Sequence, residues 1–475
     1  MIDKKTKIIC TIGPSVESVE MIIQLINAGM DAARLNFSHG DHTKHREYLN
    51  NIREACEIAG KQVAIIQDLQ GPKIRVGKLE NGFINLEEGA LIQITSEEIT
   101  GNEQVICTTY PGLIQELKAG EILLLDDGNI KLLITEIKRT KPEVTCKVII
   151  GGILKQHKGI NIPHSALSLP SLTEKDLEDL DFAIENKFDF IAMSFVRTPD
   201  DVKLLKGILR SRGRDIPVIA KIERPEAIAN IDAIISEADM LMVARGDLGV
   251  EISVEEVPQL QKMIIKKCNE KIKPVITATQ MLESMISDQT PTRAEASDVA
   301  NSILDGTDCV MLSAETSTGL YPLQSVSMMK KIIQKTEVQK KSTYFNEIFV
   351  EDSPENILHT ICNSACMIAE RVSAKAIIAV PTITGNTPLI ISNHRPMAQI
   401  IAVGFDEQKL KRLKLVWGVE SMLTKEREDL QDIINEVKQT LIEKELFHKG
   451  DRVVIVARNP IAEAPSANAI QVTVI

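Results

Sequence analysis

The sequence predicts an α/β protein of three parts, and three observations carry that prediction. Apolar runs of strand length recur at 7–12, 30–37, 63–68, 189–195, 217–222, 239–244, 274–278 and 308–312, with helix-period segments between them. That makes about eight strand–helix units, the arithmetic of a (β/α)8 TIM barrel. Between Gly71 and about Ala166 the helical period disappears and short alternating runs replace it. This interval predicts a small β-barrel cap domain inserted after the third strand, over the barrel mouth. Beyond about residue 340 a second strand–helix alternation begins, which predicts a C-terminal open α/β domain. The expected division is 1–70 and 167–340 for the barrel, 71–166 for the cap and 341–475 for the C-terminal domain.

Each element has a local reason. Barrel helices are expected near 16–28, 43–60, 173–187, 199–211, 224–237, 254–272, 293–304 and 320–340, where apolar residues repeat with the helical period. In the cap, runs at 91–95, 121–126, 130–137 and 143–150 alternate and are broken by Asp-Asp-Gly and Gly-Gly. A cap there could close on substrate and exclude water, and Lys155 and Lys158 flank its exit. In the last part, helix 354–371, strand 376–380, strands near 398–403 and 451–456 and helix 428–446 form the open sheet, after a polar linker at 339–343.

Composition narrows the function. A formal net charge of −11 and a pI near 5.4 disfavour a nucleic-acid or anionic-membrane surface. No apolar run is long enough to cross a bilayer, the first residues lack a signal-peptide core, and eight scattered cysteines without Cys-x-x-Cys fit a reducing cytoplasm. His359, Cys362 and Cys366 share one face of a helix, but buried small side chains give the same spacing, so packing is preferred over a metal site.

The chemistry gathers at strand ends. In Val-Ile-Ala-Lys-Ile-Glu (218–223), side chains alternate faces, so Lys221 and Glu223 project together. Arg34, Asn36 and Ser38 share a face in residues 33–40, Asp68 closes 63–67, Asp247 follows 239–244, and Thr279 closes 274–279. Every cluster lies at the C-terminal end of a predicted strand, where barrels of this kind carry their chemistry. Any one of these taken alone could be a strand-end salt bridge; the shared placement points to a site. Glu223 and Asp247 are hard oxygen ligands that suit Mg2+ or Mn2+. Arg34, Arg75 and Lys221 surround the same mouth with positive charge, which fits phosphoryl transfer. Gly246 and Asp247 open a turn whose amides could hold a small carboxylate.

Several runs resemble pyruvate kinase: Ala-Arg-Leu-Asn-Phe-Ser-His-Gly (33–40), Ala-Lys-Ile-Glu (220–223), Val-Ala-Arg-Gly-Asp-Leu-Gly-Val-Glu (243–251) and Ala-Thr-Gln-Met-Leu-Glu-Ser-Met (278–285). The match continues through Pro-Thr-Arg-Ala-Glu-Ala-Ser-Asp-Val-Ala-Asn (291–301) and Asp-Gly-Thr-Asp-Cys-Val-Met-Leu-Ser-Ala-Glu-Thr (305–316). The resemblance implies transfer of a phosphoryl group from phosphoenolpyruvate to ADP, yielding pyruvate and ATP. It also implies a regulatory C-terminal domain and a homotetramer. By motif position it makes Glu223 and Asp247 the metal ligands and Lys221 the group that stabilises the in-flight phosphoryl. Arg34 would bind substrate phosphate, with Gly246, Asp247 and Thr279 around the carboxylate and enolate and Thr279 helping to deliver the proton. Asn36, His39, Arg75 and Lys158 would contact the nucleotide.

The chain departs from the family pattern twice. Where many members bind K+ through Asn36, Ser38, Asp68 and the next residue, this chain reads Asp68-Leu69-Gln70-Gly71-Pro72-Lys73. That resembles a K+-independent branch in which a lysine ammonium, here Lys73, replaces the monovalent cation. The segment 457–462 lacks glycines common in that loop, which argues against activation by a sugar bisphosphate. Thr382, Thr384, Gly385, Asn386 and Thr387 follow a strand and precede a helix with Thr387 as the expected N-cap. They form a candidate phosphate loop for a sugar-monophosphate or nucleotide effector. Two other functions compete. A (β/α)8 lyase or aldolase would need no phosphate clamp, and a silent sensor would lack one of Lys221, Glu223, Asp247 or Thr279.

Overall fold

The structure is a computed structural model that describes residues 4–139, 141–163, 168–339, 355–380, 385–427, 429–460 and 466–475. Eight parallel strands close into a barrel: β1 (Lys7–Thr11), β2 (Ala32–Asn36), β3 (Ala64–Asp68), β4 (Phe190–Met193), β5 (Val218–Ile222), β6 (Met240–Ala244), β7 (Val275–Ala278) and β8 (Cys309–Leu312). β1 pairs with both β2 and β8, which closes the ring. All eight fall inside the apolar runs read from sequence.

Strand alternation divides each strand between two cores. Ile9, Ala32, Ile66, Phe190, Ala192, Ile219, Met242, Ile276 and Met311 fill the barrel interior. Their neighbours, such as Cys10, Leu35, Ile65, Ile191, Val218, Ala220 and Leu241, pack against the surrounding helices. Strands buried on both faces read as unbroken apolar runs, which is why the barrel is so legible. The expected helix 224–237 is two pieces, Pro225–Ala229 and Ile231–Glu237, divided at Asn230. A helix not expected, Arg245–Glu251, follows β6 directly, so Gly246 and Asp247 lie in its first turn rather than in an open turn. Its two glycines hide it in sequence, and burial of Leu248 holds it down.

The inserted cap is a six-stranded sheet in the order 160–161, 122–125, 130–138, 143–150, 91–95, 105–107, with a two-stranded ribbon of Phe83–Leu86 and Gly152–Lys155. Bridges Arg75–Gly159 and Val76–Thr108 link its two edges, so the sheet wraps around a core of its own. In the C-terminal domain, strands Val419–Leu423, Gln399–Gly404, Ala376–Ala379 and Arg452–Ala457 are parallel, and Ala469–Val474 adds an antiparallel edge. Apolar clusters cover both faces. This domain docks on the base of the barrel, where Arg395 meets buried Asp308 at 3.0 Å and donates to the Gly306 carbonyl at 2.6 Å.

The C-terminal sheet also corrects one expectation. Gly385, at φ +69°, is the N-cap of helix Asn386–Asn393, and Thr387 is a fully buried residue inside that helix. Glycine takes the left-handed conformation without the steric cost a threonine would meet. Thr382 and Thr384 lie outside the described residues. Cys362 and Cys366 direct their sulfurs at carbonyls of this same helix, a packing role.

Candidate active site

The barrel interior changes character at its top. Following the inward parity upward, Ala32 leads to Arg34, Ile66 to Asp68, Ala192 to Ser194, and Ile219 to Lys221 and Glu223. Period two alone therefore carries these polar groups to one layer at the C-terminal ends of the strands. Register agrees: Arg34 lies beside Ile66 and Asn36 beside Asp68.

Lys221 sits at the centre of that layer. Its Nζ lies 3.0 Å from Asp68 Oδ1, 2.9 Å from Glu223 Oε1 and 2.7 Å from Ser194 Oγ. Burial acts to lower its pKa, but the Asp68 and Glu223 carboxylates outweigh burial and hold it above the usual lysine value. The ammonium is thus charged although only 8% of the residue is exposed. Arg34 Nε donates to the other Asp68 oxygen at 2.7 Å, and its Nη1 donates to Thr11 Oγ1 at 3.0 Å. Burial works to raise the Asp68 pKa, and Lys221 and Arg34 together pull it below the ordinary carboxylate value. Asp68 is the fixed anion that keeps two cations side by side at the mouth.

Glu223 behaves differently. Burial raises its pKa first, Lys221 opposes that, and nearby Asp247 raises it further. Its Oε2 accepts from the Phe195 amide at 2.8 Å. Two carboxylates close enough to repel, one of them buried, form a hard donor pair that a divalent cation would relieve. The residues present therefore fit Mg2+ or Mn2+.

Across the mouth, the Thr279 hydroxyl accepts from the Gly246 amide at 2.7 Å and donates to the Ala278 carbonyl at 2.6 Å. This joins the ends of β6 and β7. Lys73 comes down from the cap side, 3.9 Å from Asp247 Oδ1 and 3.7 Å from Asp127 Oδ1. Its ammonium faces the candidate metal ligand, whereas Asp68 takes its cations from Arg34 and Lys221 among the described residues. Leu69 is buried, and its carbonyl accepts from Ser194 Oγ at 2.7 Å. Asn36 Oδ1 accepts from the Ser38 amide at 3.1 Å, which shapes the turn after β2.

The expected nucleotide residues form a looser rim. Burial first, and then the charges of Arg75, Arg34 and Lys73, hold the His39 pKa below the usual histidine value, so these groups share one neighbourhood. Arg75 Nη1 donates to the His157 carbonyl at 2.9 Å, and Lys158 pairs with Asp126 at 2.6 Å. Lys158 thus stands on the cap, paired with a cap carboxylate.

Comparison with known proteins decides the family. The family model for the pyruvate kinase barrel domain matches residues 3–326, and that for the pyruvate kinase alpha/beta domain matches residues 359–473. The chain belongs to the pyruvate kinase family. It is 46% identical over 473 residues to the pyruvate kinase of Geobacillus stearothermophilus and 44% identical to that of Bacillus licheniformis. Each alignment covers 99% of this chain and 80% of the relative. The crystal structure of a pyruvate kinase from Cryptosporidium parvum superposes with a TM-score of 0.91 at 38% identity, over 99% of this chain and 96% of that one. The chain is accordingly a phosphotransferase.

Within this candidate site, sequence reasoning missed several residues. Ser194 closes β4 as Asp68 closes β3, and that shared signature could have found it. Thr11 ends β1 in the same way. A second group had no local signal: Glu251, 1% exposed, accepts from Arg224 Nη1 at 2.9 Å and from Asn161 Nδ2 at 2.7 Å. It ties the helix bearing Asp247 to the residue after Glu223 and to the last strand of the cap. Arg245, next to Gly246, is the remaining omission.

Proposed function

We propose that this chain transfers the phosphoryl group of phosphoenolpyruvate to ADP, forming pyruvate and ATP in the last step of glycolysis. The observation that carries this assignment is the buried, charged Lys221 held among Asp68, Glu223 and Ser194 with Arg34 alongside. In the reaction the bond between phosphorus and the enol oxygen breaks, and a bond to a terminal ADP oxygen forms. Arg34 binds the substrate phosphate, and Lys221 offsets negative charge on the group in flight. Gly246, Asp247 and Thr279 surround the carboxylate and enolate, and the Thr279 hydroxyl helps deliver the proton that completes pyruvate. Glu223 and Asp247 would hold Mg2+ or Mn2+, and a divalent cation there would supply neutralisation of negative charge. Asn36, His39, Arg75 and Lys158 contact the nucleotide.

Activity is proposed to be independent of K+, since Lys73 brings a tethered positive charge to the same mouth. The working form is proposed to be a cytoplasmic homotetramer; among the described residues no helix is long and apolar enough to cross a membrane. The loop from Thr382 to Thr387 is proposed to bind a sugar monophosphate or nucleotide, through amides near Gly385 and Asn386. The deciding assay supplies phosphoenolpyruvate, ADP and Mg2+ in K+-free buffer and follows pyruvate. Pyruvate formation that requires ADP supports the assignment; absence of pyruvate, with or without K+, overturns it.

A further inference from the structure

Thr279 and Gln280 adopt φ of 67° and 53°, so two successive residues lie in the left-handed region at the end of β7. A β-branched residue resists that conformation and keeps it only where its surroundings over-determine it. The over-determining group is the Arg245 guanidinium. Arg245, 8% exposed, donates to the Thr279 carbonyl from Nη2 at 2.7 Å and from Nε at 3.2 Å, and from Nη2 to the Gln280 carbonyl at 3.1 Å. The far side of the guanidinium is held as well: Nη1 donates to Asp298 Oδ2 at 2.6 Å and to Gln261 Oε1 at 3.3 Å.

The adjacent residue grips the same threonine from the other side, since the Gly246 amide donates to Thr279 Oγ1 at 2.7 Å. Two neighbouring residues after β6 therefore hold both the carbonyl and the hydroxyl of Thr279. We propose that Arg245 is a positioning residue for the reaction: it maintains the left-handed turn at Thr279 and thereby fixes where the Thr279 hydroxyl points. The planar fork meets the two carbonyls with Nη2 and Nε on one side and Asp298 with Nη1 on the other, a span that the single nitrogen of a lysine does not reproduce. The inference rests on Thr279 acting in proton delivery.

The test is a double-mutant cycle of Arg245→Lys and Thr279→Val, reading kcat, the KM for phosphoenolpyruvate and the melting temperature. Arg245→Lys is expected to lower kcat on the order of a hundredfold, the scale for a misplaced reacting group, with little change in KM. In the Thr279→Val background the same change is expected to cost far less, because its target is already gone. Full additivity overturns the proposal, as does a lower melting temperature with kcat unchanged. Loss of activity in Thr279→Val with normal Arg245→Lys refutes the inference alone, whereas normal activity in Thr279→Val removes the Thr279 assignment beneath it. If Arg245→Lys does not fold, Asp298→Asn, which removes only the outer partner, enters the same cycle with the same expected non-additivity.

Discussion

Replacing Lys221 by methionine separates chemistry from stability in a way the geometry makes quantitative. Methionine keeps most of the aliphatic stem and removes an ammonium that meets Asp68 at 3.0 Å, Glu223 at 2.9 Å and Ser194 at 2.7 Å. Removing one partner of a buried ion pair ordinarily costs about 3–5 kcal/mol. Here the stranded anions keep partners, because Asp68 retains Arg34 at 2.7 Å and Glu223 retains the Phe195 amide at 2.8 Å. Glu223 can also take up a proton, its pKa being raised already by burial. The stability loss should therefore fall below about 3 kcal/mol, leaving a folded enzyme. Catalysis has no such relief, and loss of a preorganised charge contact costs at least about 2.7 kcal/mol, roughly a hundredfold in kcat. The assay couples pyruvate formation to lactate dehydrogenase and runs beside a melting curve. A folded variant with near-parent turnover would refute the role given to Lys221, and unfolding in place of lost turnover would reduce it to a structural ion pair.

Three further outcomes are expected. Lys73→Glu should lower activity and create a K+ requirement, since a like charge then faces Asp247; strong K+ activation of the parent enzyme would contradict it. Asp31 sits at the barrel base, where burial works to raise its pKa but Lys4, Lys7 and Lys61 hold it at about 2. Its folded value lies below the unfolded one, so it contributes stability above about pH 4 that is lost as pH falls toward 2, on the order of 2 kcal/mol in all. Asp31→Asn should therefore be less stable than the parent at pH 7, with the gap in urea midpoint closing in acid. For the C-terminal loop, thermal-shift scans should show stabilisation by glucose 6-phosphate, ribose 5-phosphate or AMP, and loss of that response in Thr384→Glu. Stabilisation by fructose 1,6-bisphosphate alone would overturn the choice of ligand.

The barrel and its polar upper layer are legible in the sequence for one reason: strand parity. Once Ile219 is taken as inward, Lys221 and Glu223 must be inward too, and the same step leads from Ile66 to Asp68 and from Ala32 to Arg34. What stays hidden is whatever depends on chain crossing far from its own neighbours. Nothing near Glu251 announces that it will meet Asn161 of the cap, ninety positions away. Nor does the run after Ala244 read as helix, because Gly246 and Gly249 have poor intrinsic propensity and tertiary packing overrides it. The edge strands 83–86, 105–107, 419–423 and 469–474 escape notice because they are short or half-exposed and lack a continuous apolar run. Lys73 is the instructive case. Sequence places it just past Asp68, yet the turn at Gly71 directs its ammonium toward Asp247 and the cap.

Transfer of the phosphoryl group between substrates at the Lys221 layer can be watched by phosphorus NMR of the parent enzyme with phosphoenolpyruvate, ADP and Mg2+. The phosphoenolpyruvate signal should decay in step with growth of the ATP γ-phosphate signal, and Lys221→Met should stop both. Decay into inorganic phosphate without ATP, or transfer undiminished in Lys221→Met, would contradict it.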